Sequence, residues 1–165
     1  MKNKTIIGIM GPGSGATSSD LDTAYILGNA LAQEGYLVLT GGRASGVMES
    51  AMKGAKAAGG TTIGILPSPD GANQSEFVDI AIKTDTGSGR NNINVLTSDV
   101  VIAVGVGAGT ASEIALAIKN DKPVILMNQT DESLKFFYSL THPRLYQAGE
   151  VEATLQLIKQ VLKEK

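Results

Sequence analysis

Five short apolar runs, nearly unbroken and rich in β-branched residues, constrain this chain more than any other feature. They cover residues 5–10 (TIIGIM), 36–40 (YLVLT), 61–66 (TTIGIL), 100–104 (VVIAV) and 124–127 (VILM). A strand that is apolar on successive residues has both faces covered, the habit of a parallel sheet sandwiched between helices. Helical patterns separate the runs, over residues 20–34, 46–58, 90–97 and 110–119, with a last one over 151–163. The alternation predicts an α/β, Rossmann-like, doubly wound and mainly parallel sheet with helices on both faces, as one domain over residues 1–165. Residues 78–83 (VDIAIK) alternate like a further short strand, whereas 131–146 show no clear period. The Phe136-Phe137-Tyr138 cluster in that stretch suits either ordinary core or a subunit interface.

Four of the five runs, and the alternating one, lead into glycine-rich loops: Gly11-Pro12-Gly13-Ser14-Gly15, Gly41-Gly42-Arg43, residues 67–73, Thr86-Gly87-Ser88-Gly89-Arg90, and Gly105-Val106-Gly107-Ala108-Gly109-Thr110. In a parallel sheet such loops gather at one edge, where backbone N–H groups and helix N-termini surround an anion. Two of the chain's three arginines, Arg43 and Arg90, fall inside these loops, and a guanidinium suits bidentate phosphate binding. The sequence therefore predicts a phosphate-binding pocket. Its candidate residues are Gly11, Gly13 and Ser14 in the first loop, and Gly41, Gly42, Arg43, Ser45 and Gly46 in the second. Gly87, Arg90 and Asn91 follow, and Gly105, Gly107, Ala108, Gly109, Thr110 and Glu113 complete the set.

Other readings of the same residues stand beside this one. Gly11 to Ala16 satisfies G-x-G-x-x-G/A, but the second run ends in Thr40-Gly41-Gly42-Arg43, without the acidic residue that meets a ribose in NAD sites. Ser45 reads equally as the N-cap of a plain strand-to-helix turn. Thr110-Ala111-Ser112-Glu113 fits a capping box, in which Thr110 caps a helix and Glu113 bonds back to the cap.

Composition narrows the chemistry. There is no cysteine and a single histidine, His142, so thiolate and histidine-rich metal sites are excluded and no protein-ligated metal is expected. No role is assigned to His142. A net charge of −2 without a Lys/Arg run gives no footprint for nucleic acid. No run reaches membrane-spanning length, and Met1-Lys2-Asn3-Lys4 leads into an apolar run too short for a signal peptide, so a cytoplasmic protein is expected.

Three motifs in register carry a resemblance: Gly41-Gly42-Arg43-Ala44-Ser45-Gly46-Val47-Met48, Arg90 eight residues before Ser98-Asp99, and Gly105 to Glu113. Together they resemble the lysine decarboxylase-like superfamily, with its G-G-G-x-x-G-L-M, arginine-before-S-D and P-G-G-x-G-T-x-x-E hallmarks, over roughly residues 5 to 127. The resemblance implies one of two activities. The cytokinin-activating phosphoribohydrolases of this superfamily hydrolyse the N-glycosidic bond of nucleoside 5'-monophosphates, and their catalytic arginine and glutamate correspond to Arg90 and Glu113. The molybdenum cofactor carriers bind an intact phosphorylated pterin. Gly105-Val106 in place of Pro-Gly, Asn91 in place of lysine, Gly-Gly-Arg in place of Gly-Gly-Gly, and the opening Gly11-Pro12-Gly13 look more like the carriers. The resemblance thus implies the molybdenum cofactor as ligand, a homo-oligomer (dimer or tetramer), and molybdoenzymes as recipients.

Overall fold

The structure, a computed structural model, describes residues 4–164, so the reading of Met1 to Asn3 lies outside the described residues. Seven strands form one all-parallel sheet: β1 (Ile6–Met10), β2 (Leu37–Thr40), β3 (Thr62–Leu66), β4 (Ile80–Lys83), β5 (Val100–Val104), β6 (Val124–Met127) and β7 (Leu145–Gln147). Their spatial order is β4-β3-β2-β1-β5-β6-β7. Between them run α1 (Ser18–Gln33), α2 (Gly46–Ala57), α3 (Arg90–Thr97), α4 (Ala108–Lys119) and α5 (Asp131–Ser139), and α6 (Val151–Lys163) follows β7. The chain winds outward from β1 to one edge and from β5 to the other. The crevice at the carboxyl ends of β1 and β5 is therefore the topological switch point, where such sheets take ligands.

The unbroken apolar runs feed both faces. In β1, Ile7 and Ile9 point to one side and Met10 to the other; in β5, Val100, Ile102 and Val104 oppose Val101 and Ala103. The first set packs under α1, α2 and α6 with Leu27, Val47 and Ile158, and the second under α3, α4 and α5 with Val95, Ile114 and Phe137. Helices α1 and α2 touch backbone to backbone. A Cβ on Gly28 would collide with the Ala51 carbonyl and one on Gly54 with that of Tyr25, while Ser50 Oγ donates to Leu21 O at 2.6 Å.

The unperiodic stretch 131–146 resolves into α5, started by the Thr130 side chain accepting from Ser133 N, and the three-residue edge strand β7. Its aromatic cluster divides. Phe137 is core, whereas Phe136 (59% exposed) and Tyr138 (43%) face outward. At the sheet's other end, Asp99 of the Ser98-Asp99 pair accepts from Ile6 N at 2.9 Å, pinning the start of β1 beside β5 far from the crevice. Among the described residues no helix is long and apolar enough to cross a membrane.

Candidate functional site

A cavity of about 470 Å³ opens at the switch point, over the carboxyl ends of β1, β2, β3 and β5. Its floor and one wall come from the start of α4. Gly107, extended at φ −153°, is the N-cap, so the helix begins at Ala108, two residues earlier than the sequence pattern suggests. That register breaks the expected capping box. Thr110 becomes the third helical residue and Glu113 sits in the second turn, facing α3 instead of reaching back to a cap. The N–H groups of Ala108, Gly109 and Thr110 have no intrahelical acceptor, and Ala108 and Gly109 are exposed at the cavity. Thr110, 2% exposed, lines the cavity, and its Oγ1 is buried without a partner among the described residues.

Glu113 lies deeper, 7% exposed, with Oε1 accepting from Asn94 Nδ2 at 2.7 Å. Burial pushes its carboxyl up to about 7, against the opposing pull of the Asn94 bond, Arg90 and Arg43. Arg90 is also buried. Its Nη1 donates to Ile65 O at 2.6 Å and to Gly41 O, tying the ends of β2 and β3 to α3. Loss of water, and the neighbouring Arg43 charge, lower the Arg90 pKa, while Glu113 raises it. Arg90 and Glu113 feel each other's charge without forming an ion pair among the described residues. Arg43 remains exposed on the rim, its backbone bridged to Gln74.

The first loop behaves differently from a dinucleotide fingerprint. Helix α1 waits until Ser18, and its N-terminus is closed by a capping box: Thr17 Oγ1 accepts from Asp20 N at 3.2 Å and Asp20 Oδ2 from Thr17 N at 2.9 Å. The Pro12 carbonyl turns to the start of α2 and accepts from Val47 N at 3.0 Å. Gly46, at φ +55°, lies so close to the Pro12 and Gly13 carbonyls that any side chain would collide with them. The α2 start, expected to hold a phosphate, is thus occupied by the chain itself. Ser45 stands at its N-cap but makes no side-chain cap bond.

The structure brings Gly11, Gly13, Ser14, Gly41, Arg43, Gly87, Arg90, Asn91, Gly107, Ala108, Gly109, Thr110 and Glu113 around one cavity. Gly42, Ser45, Gly46 and Gly105 do not line it. Gly42 (φ +73°) is a turn packed on Gly64, and Gly105 (φ +70°) abuts the Asp20 carboxylate in a neighbouring shallow cleft. Asn91 is anchored, its Nδ2 donating to Ser112 Oγ at 2.8 Å. Sequence reasoning missed the apolar walls Ile9, Met10 and Met48, and it named Pro12, Gly15, Pro67 and Ser88 only as members of the glycine-rich loops. It missed Asn94 as well, although its place one helical turn beyond Arg90 puts both on the inward face of α3. Among the described residues no cluster of three or more His, Cys, Asp or Glu side chains occurs.

The profile of the SLOG cluster4 family matches residues 4–155. The chain belongs to that family. The match agrees with the lysine decarboxylase-like resemblance carried by the three glycine motifs. Among solved structures, it is similar to the molybdenum cofactor binding protein of the phototrophic bacterium Rippkaea orientalis, at 54% identity over 98% of this chain and 99% of that one, with a TM-score of 0.95. It is also similar to the molybdenum cofactor carrier protein of Chlamydomonas reinhardtii, at 49% identity, 98% and 99% coverage, and a TM-score of 0.93. An uncharacterised protein of Archaeoglobus fulgidus is 44% identical over 119 residues, 72% of this chain and 76% of that one.

Proposed function

We propose that this protein binds the molybdenum cofactor, a phosphorylated pterin that arrives with its own metal, and carries it without chemical turnover. One observation carries the reading. The open N-terminus of α4 lies at a cavity whose buried Thr110 hydroxyl has no protein partner, which is what an oxyanion would complete. In this reading the Ala108, Gly109 and Thr110 N–H groups and the Thr110 hydroxyl hold the phosphate, and Arg43 adds charge from the rim. The Gly11 to Gly15 loop and the Met10 and Met48 side chains give the flat ring a surface without bulk. Likeness along nearly the whole chain to a cofactor-binding protein and a cofactor carrier supports the same ligand class.

Arg90, which phosphoribohydrolysis would place at the developing charge, is held at the cavity by its Nη1 bonds to the Gly41 and Ile65 carbonyls. The reading extends to a cytoplasmic homo-oligomer that delivers its cargo to molybdoenzymes. Exposed apolar side chains such as Ile26, Leu96 and Phe136 support the oligomer. Mass spectrometry of the small molecules that copurify anaerobically with the protein tests the function. A phosphorylated pterin is expected. A nucleoside monophosphate, together with release of free base from added AMP, would overturn the carrier reading in favour of the hydrolase.

A further inference from the structure

Beneath the α4 N-terminus, two buried polar side chains on different helices face each other, Glu113 at the cavity wall. Asn94 of α3 is fully buried; its Nδ2 donates to Glu113 Oε1 at 2.7 Å, while its Oδ1 has no partner among the described residues. A carboxamide serves both protonation states of a neighbouring carboxyl. Its NH2 donates to a carboxylate oxygen or, equally, to the carbonyl oxygen of the neutral acid, so Asn94 fixes Glu113 Oε1 as the acceptor and leaves any proton to the other oxygen. The charged groups facing Glu113 are Arg90 of α3 and Arg43 of the loop after β2, both favouring the carboxylate, while burial opposes it. An anion bound at the α4 start would neutralise part of that positive field and would repel a carboxylate one helical turn away. Both effects drive Glu113 to take a proton from solvent, which converts it from an acceptor into a donor aimed at the ligand.

We propose that Asn94 is a positioning residue that fixes Glu113 Oε1 as an acceptor, so that the proton Glu113 takes up as the ligand enters lies on its other oxygen and selects a ligand edge of hydrogen-bond-accepting oxygens. The inference rests on the reading that this cavity binds a phosphorylated pterin. It adds a direction to the carrier's cycle. Low pH favours loading, and rising pH favours release, by up to about tenfold in affinity per pH unit once Glu113 is ionised in the free protein.

The test is anaerobic calorimetry of the full chain with the molybdenum cofactor, in buffers of different ionisation enthalpy, between pH 6 and 8.5. The ligand's own titration cancels in the difference between the unmodified protein and Glu113→Gln, because the Gln amide mimics the neutral acid's donor without titrating. The unmodified protein is expected to take up roughly half to one proton more than Glu113→Gln at pH 8, with a correspondingly steeper loss of affinity. Asn94→Leu adds no charge but removes the N–H that fixes Oε1 as an acceptor and favours the carboxylate, and is expected to move the midpoint of the pH profile upward by about one unit. A merely structural Asn94 would leave that midpoint in place, and an unmoved midpoint overturns its role. Equal proton counts in the unmodified protein and Glu113→Gln, or loss of binding by Glu113→Gln at pH 6, overturn the inference and leave the carrier reading standing. Absence of binding by the unmodified protein at every pH sinks the carrier reading itself, and the inference with it.

Discussion

Replacing Glu113 with glutamine gives the buried polar cluster a stability signature that needs no ligand. Burial raises the Glu113 carboxyl from 4.5 to about 7, so the folded protein keeps a proton that the unfolded chain releases. Stability contributed by the neutral acid is fully present below the unfolded value and is lost as pH rises from 4.5 to about 7. Over that window the loss integrates to about 3 kcal/mol, because each pH unit of differential protonation is worth about 1.4 kcal/mol. Glutamine does not titrate, yet its Oε1 still accepts from Asn94 Nδ2. The two proteins should therefore be nearly equal near pH 4.5, and the variant should be more stable by about 3 kcal/mol at pH 8. For a chain of this size that corresponds to about 6–12 °C in melting temperature. Urea unfolding of both proteins at half-unit steps from pH 4.5 to 8.5 measures the difference directly, since every other titrating group is common to both. Parallel stability curves across that range would refute the assignment of a buried, neutral Glu113.

Other consequences follow from the same geometry. Arg43→Ala, which removes an exposed rim charge, should leave the melting temperature unchanged and weaken binding of the phosphorylated ligand roughly ten- to hundredfold, as read by calorimetry. Thr110→Val removes the buried hydroxyl that lacks a protein partner, so thermal stability should hold or rise while ligand affinity falls about tenfold. Gly28→Ala forces a methyl group against the Ala51 carbonyl where α1 and α2 touch; unfolding should report a loss of about 1–3 kcal/mol, with the ligand site intact in whatever fraction folds.

The sheet was legible because its signal is local. A strand covered on both faces is apolar at every position, and each of the five runs became a strand within one residue of the expected start. The helix starts around the site were less legible, since two segments carry similar cap patterns. Thr17 and Asp20 make the capping box, while Thr110 and Glu113 do not, because extended Gly107 starts α4 earlier and turns both side chains inward. The tasks of Arg90 and Asn94 depend on partners distant in sequence, the carbonyls of Gly41 and Ile65 for one and the Glu113 carboxyl for the other. No local pattern reports such contacts. Strand β7 escaped notice because three residues at a sheet edge, only one of them buried, leave no period to read.

In the carrier reading the α4 N-terminus holds the phosphate of the cofactor. Diffraction from crystals grown anaerobically with the molybdenum cofactor, recorded at the molybdenum absorption edge, locates the metal by its anomalous signal and the phosphate by its electron density. Phosphate oxygens are expected within hydrogen-bonding distance of the Ala108, Gly109 and Thr110 N–H groups and of Thr110 Oγ1, with the metal inside the same cavity. Phosphate bound instead in the cleft beside Asp20, or a metal signal outside the cavity, would contradict that placement.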